Sequence, residues 1–252
     1  MPFELEFKDT FDGDDLDTTR WLPFYLPHWS SRERSAARYV VRDGLLRLRI
    51  EEDQQPWCPE LDGELRVSSL QTGELAGPVG STVGQHRFSE AAVVREEQPN
   101  VRLYTPLFGR VELRAKANDD PRAMVALWMI RYDEPDRSSE ICVCEIFGNE
   151  IGDDHALVGV GVHPFGDDRI LDDFTKVRVE IDAREFHVYA TEWTPDGVAF
   201  FVDDALVKTV PQSPDYAMQL MLNIYEFPGE PAGSYPKEFV VDYVRGYRLT
   251  TT

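Results

Sequence analysis

Apolar side chains recur at every second position over much of this chain, in short runs set apart by glycine, proline and aspartate. Phe3, Leu5 and Phe7 alternate with charged neighbours and predict a half-buried strand. From Arg38 to Ile50 two strands meet across Asp43-Gly44, a step that favours a tight hairpin, and Leu46, Leu48 and Ile50 alternate with Arg47 and Arg49. Further strands are predicted at 91–94, 111–115, 156–162, 186–193, 198–202, 218–224 and 239–249. Thr194-Pro195-Asp196-Gly197 makes a proline-led turn between two of them. Met124 to Ile130 is continuously apolar with Trp128 inside it, and a polar loop leads from it into a second dense run at 139–147. No stretch sustains a 3.6-residue period with caps. The predicted fold class is all-β: a two-sheet antiparallel sandwich in one domain, residues 1–252.

The run Ser139-Glu140-Ile141-Cys142-Val143-Cys144-Glu145-Ile146-Phe147 reads as a buried strand that carries two glutamates five residues apart. Residues five apart on a regular strand point to opposite sides. For both carboxylates to serve one site, the strand must hold a one-residue bulge between them, and bulges gather beside active sites. The four remaining steps span roughly 13 Å of backbone, which two inward-leaning glutamate arms could close to the ~5–5.5 Å of a retaining carboxylate pair. Spacing alone favours the plainer arrangement, two solvated glutamates flanking a hydrophobic strand.

Composition narrows the partners. A chain of 252 residues, 42% hydrophobic, can bury a sizeable core. With 46 acidic against 26 basic residues and a net charge of −20, it repels phosphate, which argues against nucleic acid and anionic membrane surfaces. A neutral partner such as carbohydrate fits better. No stretch approaches the length of a membrane span. Cys58, Cys142 and Cys144 are odd in number, and Cys142 and Cys144 stand too close along one strand for an easy disulfide. No basic-then-apolar leader opens the sequence, so a reducing, cytoplasmic compartment is the default; a secreted protein trimmed of its leader would read the same way. Oligomeric state leaves no mark on the sequence.

Three loops stand out. Four aspartates within 12–17 lack the spacing of a calcium-binding hand and read as a solvated loop. Residues 22–36 and 54–86 are long and aperiodic, and ordered loops of that length are usually functional. Trp29, Trp57 and Tyr225 have the character of sugar platforms or of rings that cover a sandwich end.

In register along the chain stand Phe11-Asp12-Gly13, Leu16-Asp17 and Trp21, then Phe108-Gly109-Arg110-Val111-Glu112-Leu113-Arg114-Ala115-Lys116-Ala117 and Ala126-Leu127-Trp128-Met129-Ile130. Glu140 to Glu145, Phe186 to Gly197 and Val241-Asp242-Tyr243-Val244-Arg245 follow. Together they resemble glycoside hydrolase family 16, the laminarinase-like β-glucanases, over almost the whole chain. The resemblance implies a concanavalin A-like β-jelly-roll sandwich. It also implies endo-hydrolysis of a β-glucan-like chain with retention, the alternatives being a transglycosylase or a carbohydrate-binding protein on the same scaffold.

Carried over residue by residue, Glu140 matches the nucleophile and Glu145 the general acid/base, in a reaction that requires no cofactor. Cys142 stands where the family motif has an aspartate that hydrogen-bonds the nucleophile; a thiol donates weakly and brings no negative charge. Cys144 matches the bulge position and reads as core filler. Met124 replaces a common tryptophan, which removes one stacking ring worth about 1 kcal/mol. Trp128, His163 and Arg110 are implied as cleft residues, each with a structural alternative: core tryptophan, satisfied histidine, paired surface arginine. Trp21 and Trp193 read as core. Many relatives hold a structural calcium on the convex face, where Asp242 and the Gly44 carbonyl would match.

Overall fold

The computed structural model describes residues 3–230 and 233–250. Strands β1 (Phe3–Asp9), β2 (Arg38–Arg42), β3 (Leu45–Ile50) and β4 (Arg66–Gln71) precede an irregular stretch that holds the two-residue strands β5 (Gly73–Glu74) and β6 (Val101–Arg102). Next come β7 (Gly109–Lys116), β8 (Ala123–Arg131), β9 (Glu140–Phe147), β10 (Ala156–His163) and β11 (Asp173–Val179). The chain finishes with β12 (His187–Thr194), β13 (Gly197–Val202), β14 (Ala205–Val210), β15 (Met218–Glu226) and β16 (Lys237–Leu249). One sheet runs β14-β13-β12-β7-β16-β3-β2, with β1 also on β16, and the other runs β11-β10-β9-β8-β15-β4. The ladders within both are antiparallel, as predicted. At the first hairpin Asp43 and Gly44 both adopt positive φ, 56° and 70°, which twists the turn to match its strands.

The core lies between the sheets. Leu46, Leu48 and Leu113 of one sheet pack with Leu127, Val143, Val160 and Leu222 of the other, joined by Trp21 and Trp193. A second apolar cluster covers the outer face of the six-stranded sheet, where Tyr25, Trp29 and Trp57 from loops meet Met124, Ala126 and Trp128. Strand β8 is therefore covered on both faces, which is why its sequence is continuously apolar. The expected strand at 91–94 is not formed: Ala92 and Val94 are buried in this loop cluster without ladder partners. Among the described residues no helix is long and apolar enough to cross a membrane.

Candidate active site

Strand β9 does hold a bulge. On β8, Trp128 pairs with Cys142 and its neighbour Leu127 with Cys144. On β10, Gly161 pairs with Cys142 and Gly159 with Glu145. Each ladder leaves one extra residue on β9, and between Cys142 and Cys144 that residue is Val143. The bulge thus centres on Val143 rather than on Cys144. Val143 and Cys144 both turn into the inter-sheet core, and the alternation restarts from there. Glu140, Cys142 and Glu145 consequently share the outer face, where a regular strand would have sent Glu145 inward.

These three side chains line a cavity of about 160 Å³. Trp128 and Met124 of β8, His163 of β10 and Tyr225 of β15 complete its floor, and Tyr25 and His86 from the loops form its walls. Trp128 is set by its Nε1–H, which donates to Asn223 Oδ1 at 2.6 Å. The hydroxyls of Tyr225 and Tyr25 meet at 3.4 Å, their rings edge to face at 5.6 Å. His163 stacks on Phe174 at 4.6 Å, with Nδ1 3.2 Å from Asp172 Oδ1. Gly159 lies opposite Glu145, where a Cβ would stand 2.6 Å from the Phe174 ring and 3.2 Å from the Glu145 Cβ. The missing side chain keeps that wall open.

Burial dominates the electrostatics and raises the Glu145 carboxyl above its ordinary value; Lys176 and His163 pull it back, while Glu140 and Glu150 add to the rise. Lys176 is itself held by Glu150 at 2.7 Å. The Cys142 thiol is pushed well above the ordinary range by burial, then by Glu145, Cys144 and Glu140. It is a neutral thiol, so Cys142 itself adds no negative charge between Glu140 and Glu145. The arrangement pairs a carboxyl poised to donate a proton with a second carboxylate across one small, ring-lined cavity, which suits acid-assisted displacement at carbon.

The structure therefore gathers Glu140, Cys142, Glu145, Trp128, His163 and Tyr225 in one place. Three candidate binding residues lie elsewhere. Arg110 is on the outer face of the eight-stranded sheet, where its guanidinium joins Glu112 at 2.7 Å, Glu192 at 2.8 Å and Asp204 at 3.2 Å. Trp29 is fully buried and donates from Nε1 to the Gln85 carbonyl at 2.8 Å, so it braces the loop and offers no platform. Trp57 is buried likewise, its Nε1–H on Asp62. The Asp242 carboxylate is taken by the Arg114 guanidinium, and no three acidic, His or Cys side chains among the described residues are grouped to hold a metal. The Gly44 group expected beside Asp242 is a backbone carbonyl, a ligand type that calcium accepts, so the Arg114 pairing is the feature that competes with an ion there. His86 and Tyr25 were not singled out by sequence; both come from aperiodic loops, and their only signal was loop length and aromatic content.

The family described as Glycosyl hydrolases family 16 has a model that matches residues 103–245, β7 through most of β16. A β-glucanase of Rhodothermus marinus is 29% identical over 172 residues, 56% of this chain and 57% of that protein. Among solved structures, the GlcNAcα1-4Gal-releasing endo-β-galactosidase of Clostridium perfringens superposes with a TM-score of 0.83 at 32% identity, covering 97% of this chain and 62% of that one. The laminarinase of Rhodothermus marinus gives 0.66 at 22% identity over 99% of both chains, a likeness of jelly-roll fold. This chain thus spans about three-fifths of the β-glucanase and of the endo-β-galactosidase.

Proposed function

The chain belongs to glycoside hydrolase family 16, and from that premise we propose that it is a retaining endo-β-glycosidase. The observation that carries this reading is the Val143 bulge, which puts Glu140 and Glu145 on one face around one cavity, with Glu145 raised by burial. In the first step the Glu140 carboxylate attacks the anomeric carbon; the bond to the leaving sugar oxygen breaks and that oxygen takes the Glu145 proton. In the second, Glu145 as carboxylate removes a proton from water, whose oxygen attacks the anomeric carbon and expels Glu140. Two inversions leave the configuration retained and Glu145 reprotonated. Trp128, Tyr25 and Tyr225 offer ring surface to the sugar.

For the substrate, 32% identity over nearly the whole chain to an endo-β-galactosidase favours a β-galactoside-containing chain. A β-glucan is the second reading, favoured by the β-glucanase relative. The test is release of reducing ends from a panel of β-galactans, galactoside oligosaccharides and β-glucans. Wild-type protein is expected to cleave one class and Glu140→Gln none. Tight binding of a glycan with no cleavage by wild type, and unchanged affinity in Glu140→Gln, would make it a carbohydrate-binding protein instead.

A further inference from the structure

Glu140 Oε1 lies 3.0 Å from Nδ1 of His86, which arrives from the irregular stretch between β5 and β6. That nitrogen is buried and has no aligned hydrogen-bond partner. The imidazole is held on two sides, stacked on Phe165 at 4.3 Å and against the edge of Trp128 at 4.8 Å. The chain behind it is fastened as well. The Gln85 carbonyl accepts from Trp29 Nε1 at 2.8 Å and meets His28 Nε2 at 3.1 Å. The Gln85 side chain donates to Gln219 of β15 at 2.6 Å and accepts from the Leu75 amide at 2.9 Å. Gly84 sits so close beneath the His28 ring that a Cβ there would come within 2.6 Å of it. His86 itself has a φ of 50°, a conformation that a non-glycine residue keeps only when its surroundings impose it, and such strain collects at functional sites.

We propose that His86 is the positioning residue of the nucleophile: its Nδ1–H donates to Glu140 and turns that carboxylate toward the anomeric carbon. The proposal rests on the hydrolase reading above. Cys142, the next β9 side chain on the cleft face, is a neutral thiol and a weak donor, so the strand itself gives Glu140 little to lean on. The donor comes instead from a loop pinned to β15. The contact is close but unaligned here, and it straightens when a sugar fills the cavity, as such bonds commonly do between free and bound enzymes. The other titratable groups lining the same cavity as this imidazole are Glu145 and Cys142 of β9, His163 of β10, Tyr225 of β15 and Tyr25. Nδ1–H donates in both the imidazolium and one neutral tautomer, so the role requires a donor and not a charge.

Two variants separate donation from packing. His86→Phe keeps a ring for Phe165 but has no donor, whereas His86→Asn sets an amide N–H near the Nδ1 position. The expected result is a fall in kcat of about 10–100-fold for His86→Phe with KM changed far less, and recovery to within about fivefold of wild type for His86→Asn. Equal losses in both variants, or losses that track Tm, would overturn the proposal. A readout independent of turnover is the His86 ring resonance in ¹⁵N NMR. Nδ1 is expected to be protonated and its shift to move in Glu140→Ala. An unchanged shift overturns the proposal even if wild type hydrolyses nothing, and a protein that hydrolyses nothing while the shift moves fails the hydrolase reading alone.

Discussion

Gly159→Ala tests how tightly β10 is fitted to the acid. The new methyl would enter 2.6 Å from Phe174 Cζ and 3.2 Å from the Glu145 Cβ. Phe174 is met at the far end of its ring and can give, but that ring is stacked on His163, so its movement disturbs a second cleft group. Overpacking of this kind costs about 1–3 kcal/mol, and at this chain length each kcal/mol lowers Tm by about 2–4 °C, for a drop of roughly 2–12 °C. Displacing Glu145 by up to ~1 Å costs up to ~100-fold in kcat. The loss should be selective. A glycoside with a good leaving group departs without a proton from Glu145 in the first step, so it should lose less than a natural glycan. Thermal melts and kcat on both substrate types make the assay. Unchanged Tm and kcat would refute the crowding argument, and equal losses on both substrates would show that the disturbance does not run through the acid.

Glu145→Gln should raise Tm near pH 7 while stopping hydrolysis of natural glycans. Burial raises this carboxyl, so the folded protein holds its proton more tightly than the unfolded chain, and stability is lost as pH climbs above the ordinary value of 4.5. Below that pH the two proteins should melt alike, and a lower Tm for the variant at pH 7 would reverse the sign. The Cys142 thiol should react with iodoacetamide at pH 7.5 more slowly than free cysteine, because burial and its acidic neighbours keep it protonated; faster labelling followed by mass spectrometry would contradict this. Buried Glu226 accepts from Tyr235 at 2.8 Å and pairs with Arg66 at 3.1 Å as well as with Arg122. Glu226→Ala leaves the arginines short of their carboxylate and should cost about 3–5 kcal/mol in denaturant melts, with a loss under 1 kcal/mol refuting the estimate.

Where one face of a strand meets the core and the other meets solvent, the sequence announces the strand, as with Leu46, Leu48 and Ile50 of β3. Strands that escaped prediction break that condition. β4 is covered on both faces yet carries Ser68, Ser69 and Gln71, so it reads as a polar loop. β11 and β14 sit at sheet edges with mixed exposure, and their alternation is blurred. At the site, the glutamate pair was legible because five-residue spacing demands either a bulge or separate faces, and the ladder chose the bulge. Arg110 was misplaced because a strand's sequence does not say which sheet it joins. Trp29 was misplaced because an aromatic loop that braces a cleft and one that lines it have the same composition. His86 depends on how a long loop folds back onto β15, and no local pattern records that.

The account turns on Glu140 forming a covalent bond to the sugar. Wild-type protein should be incubated with an activated 2-deoxy-2-fluoro β-glycoside of whichever sugar the substrate panel identifies, then digested and mapped by mass spectrometry. The adduct is expected on Glu140, within the peptide spanning residues 139–147. An adduct on Glu145, or continued turnover of substrate with no adduct at all, would contradict the assignment.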